Sequence, residues 1–108
     1  MSEWKVVVGS EQESEIRGIY NYIANTLLVP DTAAKQVLRI LDAIQGLGNM
    51  PMKFPLYEKE PWRSRGLRRR PIDNFVIFYW INEKANEVVV FHIFYGGRNI
   101  ENILEKEK

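Results

Sequence analysis

The spacing of apolar residues predicts a short strand and then two amphipathic helices in the first half of the chain. Residues 4–8 have the sequence WKVVV, a run of β-branched side chains that is typical of a strand. After it, apolar residues recur at intervals of three and four, as they do on one face of a helix. The first stripe contains Ile16, Ile19, Tyr20, Ile23 and Leu27. The second stripe contains Ala34, Val37, Leu38, Leu41 and Ile44.

Polar residues, glycines and prolines predict where these helices begin and end. The S-x-x-E spacing that starts at Ser10 is that of a capping box, so the first helix is predicted to begin there. Pro30 is predicted to end this helix, because the residue before a proline avoids helical dihedral angles. Asp31 suits the N-cap of the second helix, and Gly46 and Gly48 are predicted to terminate it.

Three strand-like segments follow a proline-containing loop over residues 49–62. They span residues 64–71, 75–81 and 87–95, and the Asp-Asn pair at 73–74 suits a tight turn between the first two. The middle segment, FVIFYWI, is apolar on both alternating faces, as a strand covered on both sides would be. The tail, NIENILEKEK, has a spacing compatible with a short helix.

This element order, β-α-α-β-β-β, predicts an α+β fold in a single domain of residues 1–108. Short strands joined by turns pair antiparallel, and a hairpin of helices would cover one face of their sheet. The opposite face is then expected to be partly open. The arginines of the 64–71 strand are expected on that open face or at the sheet edge, because burial of an unpaired charge is costly.

Composition excludes several classes of site. The chain contains no cysteine and one histidine, which rules out disulfides, thiolate metal sites and multi-histidine metal sites. It has no nucleotide-binding loop, nucleophile elbow or zinc motif, so no cofactor and no metal are predicted. Its longest apolar runs are far shorter than the ~20 residues of a membrane helix, and no secretory signal is recognisable. We therefore expect a soluble, cytoplasmic protein.

Positive charge is concentrated in residues 61–71, PWRSRGLRRRP, although the whole chain has 15 basic and 14 acidic residues. This run contains five arginines and no lysine, namely Arg63, Arg65, Arg68, Arg69 and Arg70. One interpretation is a charged edge strand that prevents strand-to-strand aggregation. The other is an anion site, since the guanidinium fork binds phosphate through two hydrogen bonds and stays charged at cellular pH. Trp62 would either stack on a base or anchor the loop to the core.

The last strand ends in FHIFYGGRN, which holds the other candidates for chemistry. Strict alternation would put the odd-numbered residues from Phe91 to Tyr95 on one face and His92 on the other. A lone histidine is more often structural than catalytic. A tyrosine held close to arginines can transfer protons, which makes Tyr95 a candidate, and Arg98 follows just beyond two glycines.

These segments together resemble the RelE/ParE superfamily of toxins, which belong to bacterial type II toxin–antitoxin (plasmid stabilization) modules. The resemblance covers essentially the whole chain and rests most on GLRRRPIDNFVIFY and IFYGGRN, with IYNYI on the first helix. It implies a compact toxin that a cognate antitoxin inactivates by wrapping an extended C-terminal segment around it, for example in a heterotetramer.

The superfamily has two branches with different targets. RelE-like toxins cut messenger RNA at the ribosomal A site without a metal, whereas ParE-like toxins inhibit DNA gyrase. Many members carry an arginine in the central strand where this chain has Val76, and RelE-like nucleases often have a lysine-rich helix, which is absent here. Both differences weaken the nuclease assignment. Messenger RNA cleavage is therefore one hypothesis, and gyrase inhibition, or a non-toxic regulatory or nucleic-acid-binding role, is the alternative.

RNA cleavage by attack of a ribose 2′-hydroxyl on the next phosphate requires proton transfer and stabilisation of negative charge. For these roles the resemblance implies a catalytic set of Arg65, Arg68, Tyr95 and Arg98. It implies binding roles for Arg63, Arg70, Trp62 and His92. Carboxylates of the antitoxin are expected to lie against the arginines of residues 63–70.

Overall fold

The computed structural model describes residues 4–107, and its main elements follow the order β-α-α-β-β-β-α. The strands are β1 (Lys5–Val7), β2 (Arg68–Ile72), β3 (Phe75–Asn82) and β4 (Glu87–Tyr95). The helices are α1 (Ser10–Asn21), α2 (Pro30–Gly46) and α3 (Ile100–Glu105). α1 continues as a π-helical turn over Tyr22–Thr26, and a 3₁₀ turn spans Pro51–Lys53. The predicted α+β class and the short C-terminal helix are confirmed.

The strands form one sheet in the order β1-β4-β3-β2. β2, β3 and β4 form the predicted antiparallel arrangement. β1 differs, because it pairs in parallel with the first three residues of β4. Two helices and two strands separate β1 from β4, and this length lets the chain return in the same direction, which a tight turn does not allow.

The helical hairpin is present, with ends that differ from the prediction. α1 begins at Ser10, but Gly9 is its N-cap and no side chain caps it, so the capping box does not form. Pro30 begins α2 instead of only ending α1, in a first-turn position where a missing N–H costs no hydrogen bond. Asp31 consequently lies in the first turn, after the N-cap. No helix in residues 4–107 is long and apolar enough to cross a membrane.

The hairpin packs on one face of the sheet and encloses a first core. Its most deeply buried side chains are Ala33, Ile40, Leu47, Ile77, Tyr79 and Val88. The buried side of α2 is offset from the predicted stripe, because Leu38 and Leu41 are 61% and 44% exposed. Apolar residues cover a wide arc of α2, so their spacing alone could not select the side that faces the sheet.

The opposite face of the sheet is covered, which corrects the prediction that it is partly open. α3 and the loop before β2 pack on it and enclose a second core. The buried members of this core are Tyr57, Trp62, Leu67, Val76, Phe78, Phe94 and Leu104. The prediction failed because α3 contributes only a few apolar residues, which carry no information about the surface that they cover.

β2 begins at Arg68, so the predicted strand over residues 64–71 starts too early. Residues 61–66 form turns instead. Gly66, at φ 86°, has the left-handed backbone conformation that such a reversal needs. Arg63 and Arg65 are therefore outside the sheet, and only residues 68–70 alternate between its faces.

A β-bulge in β4 interrupts the alternation of its side chains. Residues 78 and 79 of β3 are consecutive, yet they oppose His92 and Val90, so Phe91 is an extra residue in β4. Phe91 packs against the second core, whereas strict alternation would have put it with Ile93 on the first.

Candidate functional site

The three arginines of β2 divide between the two faces of the sheet. Arg68 and Arg70 lie on the side of the first core, because the residues that oppose them on β3 belong to that core. Arg69 lies on the other side, where its Nη1 is 3.5 Å from Oε1 of Glu58. All three are partly buried, so each charged end lies at the border of the sheet.

Arg68 and Arg70 converge with Lys53 on Phe54. Nη1 of Arg68 donates a hydrogen bond to the carbonyl oxygen of Phe54 at 2.6 Å. Cζ of Arg70 lies 4.8 Å from the centre of the Phe54 ring, and Nζ of Lys53 lies 5.5 Å from it. Both distances are within the range of cation–π interactions. We call these four residues the Phe54 cation cluster.

Trp62 anchors the loop in the second core, which is one of its two predicted roles. It is 3% exposed, and its ring centre lies 5.5 Å from that of Phe91 and 6.3 Å from that of Trp80. Arg65 covers the indole from outside, with Cζ 5.2 Å from the ring centre. The indole is therefore packed inside the protein, and the expected binding role of Trp62 stays a prediction. Arg63 is exposed in the same turn region.

His92 is buried and bridges two carboxylates, and its expected binding role stays a prediction. It is 3% exposed. Its Nδ1 lies 2.6 Å from Oε2 of Glu15 on α1, and its Nε2 lies 2.8 Å from Oε1 of Glu107, beyond α3. Burial alone would disfavour the charged imidazole, but hydrogen bonds to the two carboxylates outweigh it and raise the pKa of His92 to about 9. The imidazolium therefore joins α1, β4 and the C-terminal segment, and neither ring nitrogen is left for a ligand.

Tyr95 and Arg98 lie on opposite sides of the sheet. Tyr95 is 51% exposed, and its ring meets Phe75 of the first core edge-on, with 5.9 Å between ring centres. Gly97 lies so close to this ring that a Cβ atom would come within 2.6 Å of Cε2 of Tyr95. Arg98 lies over Phe94 of the second core, 5.6 Å from its ring centre.

The register of the sheet separates Tyr95 from Arg68 and Arg70. Tyr95 opposes Phe75, which in turn opposes Ile72, so this row of the sheet contains no arginine. Arg70 lies on the same face of β2, two residues before Ile72. With about 3.3 Å per residue and about 4.8 Å between strands, the Cα atoms of Arg70 and Tyr95 are roughly 12 Å apart. Of the four residues predicted to be catalytic, Arg68 and Tyr95 lie on the first-core side in different rows of the sheet. Arg65 and Arg98 lie against aromatic rings of the second core.

Two further groups with shifted pKa values, Tyr79 and Asp73, have structural roles. Burial raises the pKa of Tyr79 to about 12, and its hydroxyl donates a 2.5 Å hydrogen bond to the Pro51 carbonyl oxygen. Hydrogen bonds from Arg39 and Gln36 lower the pKa of Asp73 to about 2. Neither group titrates near neutral pH. In the part of the chain that the structure describes, no cluster of His, Asp or Glu residues could hold a metal ion.

Sequence reasoning missed the residues that complete both charged clusters. Lys53 and Phe54 lie in the proline-containing loop, where no periodicity indicates a function. Glu15 and Glu107 are 77 and 15 residues away from His92 along the chain, and only the folded structure brings them to it.

The outer side of the helical hairpin exposes apolar side chains. Leu38 and Leu41 lie about one turn apart on α2. Leu27, Leu28 and Val29 at the tip of the hairpin are 52%, 76% and 41% exposed. We call these five residues the hairpin apolar surface. A contiguous exposed apolar patch is typical of a contact with another protein, so these side chains make the hairpin a candidate for such a contact.

Comparisons with known proteins connect the chain to a family and a fold. The family model described as "ParE toxin of type II toxin-antitoxin system, parDE" matches residues 10–100. A chain of the chromosomal ParDE toxin–antitoxin system from P. aeruginosa is similar with a TM-score of 0.70 and 17% identity, over 86% of this chain and 96% of that one. A chain of the RelBE2 toxin–antitoxin complex from Mycobacterium tuberculosis has a TM-score of 0.65 and 12% identity, over 88% and 93%. No curated protein matches. At these identities, the two structures establish a shared fold alone.

Proposed function

Because this chain belongs to the family of ParE toxins of type II toxin–antitoxin systems, we propose that it stops growth by binding DNA gyrase and catalyses no reaction itself. Gyrase is the target that the resemblance to the ParE-like branch implies. The toxin would inhibit gyrase by binding to it through surface contacts, without breaking or forming a covalent bond.

The observation that carries this proposal is the distance between the residues that RNA cleavage would bring together. A nuclease of this kind needs proton transfer and charge stabilisation around one phosphate. Tyr95 lies on the first-core side, Arg98 lies over the second core, and Arg65 covers Trp62. The only histidine is buried between two carboxylates. This distribution supports a binding function over a catalytic one.

Messenger RNA cleavage is the second candidate, and the exposed ring of Tyr95 is the observation that favours it. In this case Tyr95 would transfer a proton, with Arg98 or the arginines of β2 as cationic neighbours. Such a site would require these residues to move closer together on the ribosome.

The two candidates are separated by expression of the toxin alone, followed by two measurements on the same protein. Gyrase binding predicts that the purified toxin blocks supercoiling by purified gyrase, that cells induce a DNA-damage response and that transcripts stay intact. Cleaved transcripts together with normal supercoiling would overturn the proposal in favour of the nuclease.

One variant provides the control. Tyr95→Phe removes the phenolic hydroxyl and keeps the ring on Phe75. If binding is the mechanism, Tyr95→Phe should retain growth arrest in full. If Tyr95→Phe kept its fold but its toxic activity fell by about 10²-fold or more, the result would indicate proton transfer instead.

A cognate antitoxin is the proposed partner that neutralises this toxin, as the family implies. The hairpin apolar surface supports this proposal, since Leu28 and Leu38 are 76% and 61% exposed in the free chain. A partner helix that covered these side chains would remove apolar area from water, which is the main favourable term in protein association.

A further inference from the structure

The outer edge of β1 is a separate surface feature, at the opposite border of the sheet from β2. We propose that two copies of this chain associate through this edge, with their β1 strands antiparallel about a twofold axis, so that their four-stranded sheets become continuous. The inference concerns the free toxin, and it holds whether the toxin acts on gyrase or on messenger RNA.

The backbone groups of Val6 and Val8 point out from this edge. β1 pairs in parallel with β4, and the N–H of Lys5 donates to the carbonyl oxygen of Asn86 at 3.0 Å. Successive residues of a strand direct their backbone groups to alternate sides, so those of Val6 point away from β4. Trp4, Val6 and Val8 all pack against the first core, so this alternation continues through Val8. In the described part of the chain, the N–H groups of Val6 and Val8 have no hydrogen-bond acceptor.

Gly48 limits where a partner strand can pair. Its carbonyl oxygen accepts the N–H of Trp4 at 2.9 Å, so the outer edge is already occupied at that residue. Two antiparallel copies can use both outward-pointing residues only if Val6 of each copy pairs with Val8 of the other. Each of these pairs then exchanges both of its N–H···O bonds. This register puts Val7 directly opposite Val7 of the other copy, as a pair without hydrogen bonds between its members.

Val7 belongs to an apolar row that crosses the sheet on the side of the second core. Val7 opposes Val89, and Val89 opposes Trp80. Val7 and Val89 pack in neither core, and both are partly exposed. In the proposed register the two Val7 side chains meet, so the row continues from one copy into the other. Association therefore removes apolar side chains from water, which favours it.

The charges near the edge are complementary between two copies. In the same register, Lys5 of one copy lies opposite Gly9 of the other, where α1 begins with Glu11 and Glu13 in its first turn. Among the residues that the structure describes, these three charged side chains form no ion pair within their own chain. Because this edge offers both signs of charge, it fits a second copy better than a segment of uniform charge.

Sedimentation of the full-length toxin over a range of concentrations measures this association. The contact is short, so we expect a weak monomer–dimer equilibrium with a dissociation constant of roughly 10⁻⁵–10⁻⁴ M. A toxin that stayed monomeric up to about 10⁻³ M would overturn the proposal.

A cysteine at the twofold axis tests the register. The chain contains no cysteine. In a dimer of Val7→Cys, the two thiols would face each other with about 4.5 Å between Cα atoms, a separation that a disulfide spans. We expect mild oxidation to cross-link this variant. Val89→Cys, in the same row but one strand further from the axis, should cross-link at least about tenfold more slowly. Equal rates for the two variants would refute the β1 edge as the contact.

A charge at the same two positions tests the contact without a cross-link. Val7→Glu would place two carboxylates directly opposite each other, so it should weaken dimerisation about tenfold or more. Val89→Glu should leave the dissociation constant within about threefold of its original value. Thermal unfolding controls for the fold of each variant. Val6→Pro serves if Val7→Glu is unstable, because it removes an outward N–H that the monomer does not use. Undiminished association of a folded variant at position 6 or 7 would refute the proposal.

Discussion

At the scale of single residues, His92 shows how one buried charge can hold distant parts of a chain together. Its side chain is buried, and the imidazole bridges the carboxylates of Glu15 and Glu107. Glu15 has a second task, because its other oxygen accepts the backbone N–H of Ile93 at 3.0 Å. The fold therefore depends on His92 being charged.

The first prediction concerns pH. The pKa of His92 rises from 6.5 to about 9 on folding, so the charged form stabilises the fold fully below about pH 6.5. This contribution, of about 3 kcal/mol at most, is lost as the pH rises from 6.5 through 9. Urea unfolding across this range should show a falling free energy of unfolding. In His92→Gln the slope should be much flatter, and an equal slope would assign the effect to other groups.

At the scale of elements, α1 completes an edge of the sheet that β1 leaves open. β1 pairs with only the first three residues of β4. Beyond them, the Gln12 side chain donates to the carbonyl oxygen of Phe91 at 2.7 Å, and Glu15 accepts the N–H of Ile93. Side chains of a helix thus supply the hydrogen bonds that another strand would provide.

The second prediction tests this role of α1. Glu15→Ala would leave the Ile93 N–H without its acceptor and His92 without one carboxylate, so it should destabilise the fold by about 2–4 kcal/mol. Glu13→Ala, on the exposed side of the same helix, should change stability by less than about 0.5 kcal/mol. Chemical denaturation gives both values. Hydrogen exchange at Ile93 should accelerate in the first variant alone.

The elements also show what the sequence could and could not predict. The apolar run of β3 and the spacing of α1 and α2 predicted their type and order, because these patterns are local. The register of β4, with Phe91 as an extra residue, depends on pairing with β3 and could not be obtained from β4 alone. The expected catalytic set assumed that arginines near the strand ends would meet, and the register keeps Arg70 and Tyr95 apart.

At the scale of the whole molecule, the sheet is a central layer with a core on each side. The hairpin covers one face and α3 with the loop before β2 covers the other, so the ligand-accessible parts are the borders and the outer side of the hairpin. The proposed contacts of the toxin follow from this arrangement. The hairpin apolar surface offers apolar area, the Phe54 cation cluster offers charge, and the outer edge of β1 offers unpaired backbone groups.

The third prediction separates stability from partner binding. Leu38→Gln with Leu41→Gln alters exposed side chains, so the free toxin should keep its free energy of unfolding within about 1 kcal/mol. The same pair should weaken neutralisation by the cognate antitoxin, measured as growth of cells that express both proteins. Ile40→Ala, between them and fully buried, should instead cost about 2–5 kcal/mol of stability. If the antitoxin fully restored the growth of cells that express the double glutamine variant, the antitoxin would bind elsewhere on the toxin.

The bulge in β4 has a consequence for the length of the chain. Val88 and Val90 before it face the same core as Ile93 after it, so a strand without residue 91 would alternate without interruption. A related chain one residue shorter at this point can therefore keep every other side chain of β4 on its present face. What it would lose is the aromatic ring that packs between Trp62 and Trp80, together with the carbonyl oxygen that accepts a hydrogen bond from Gln12.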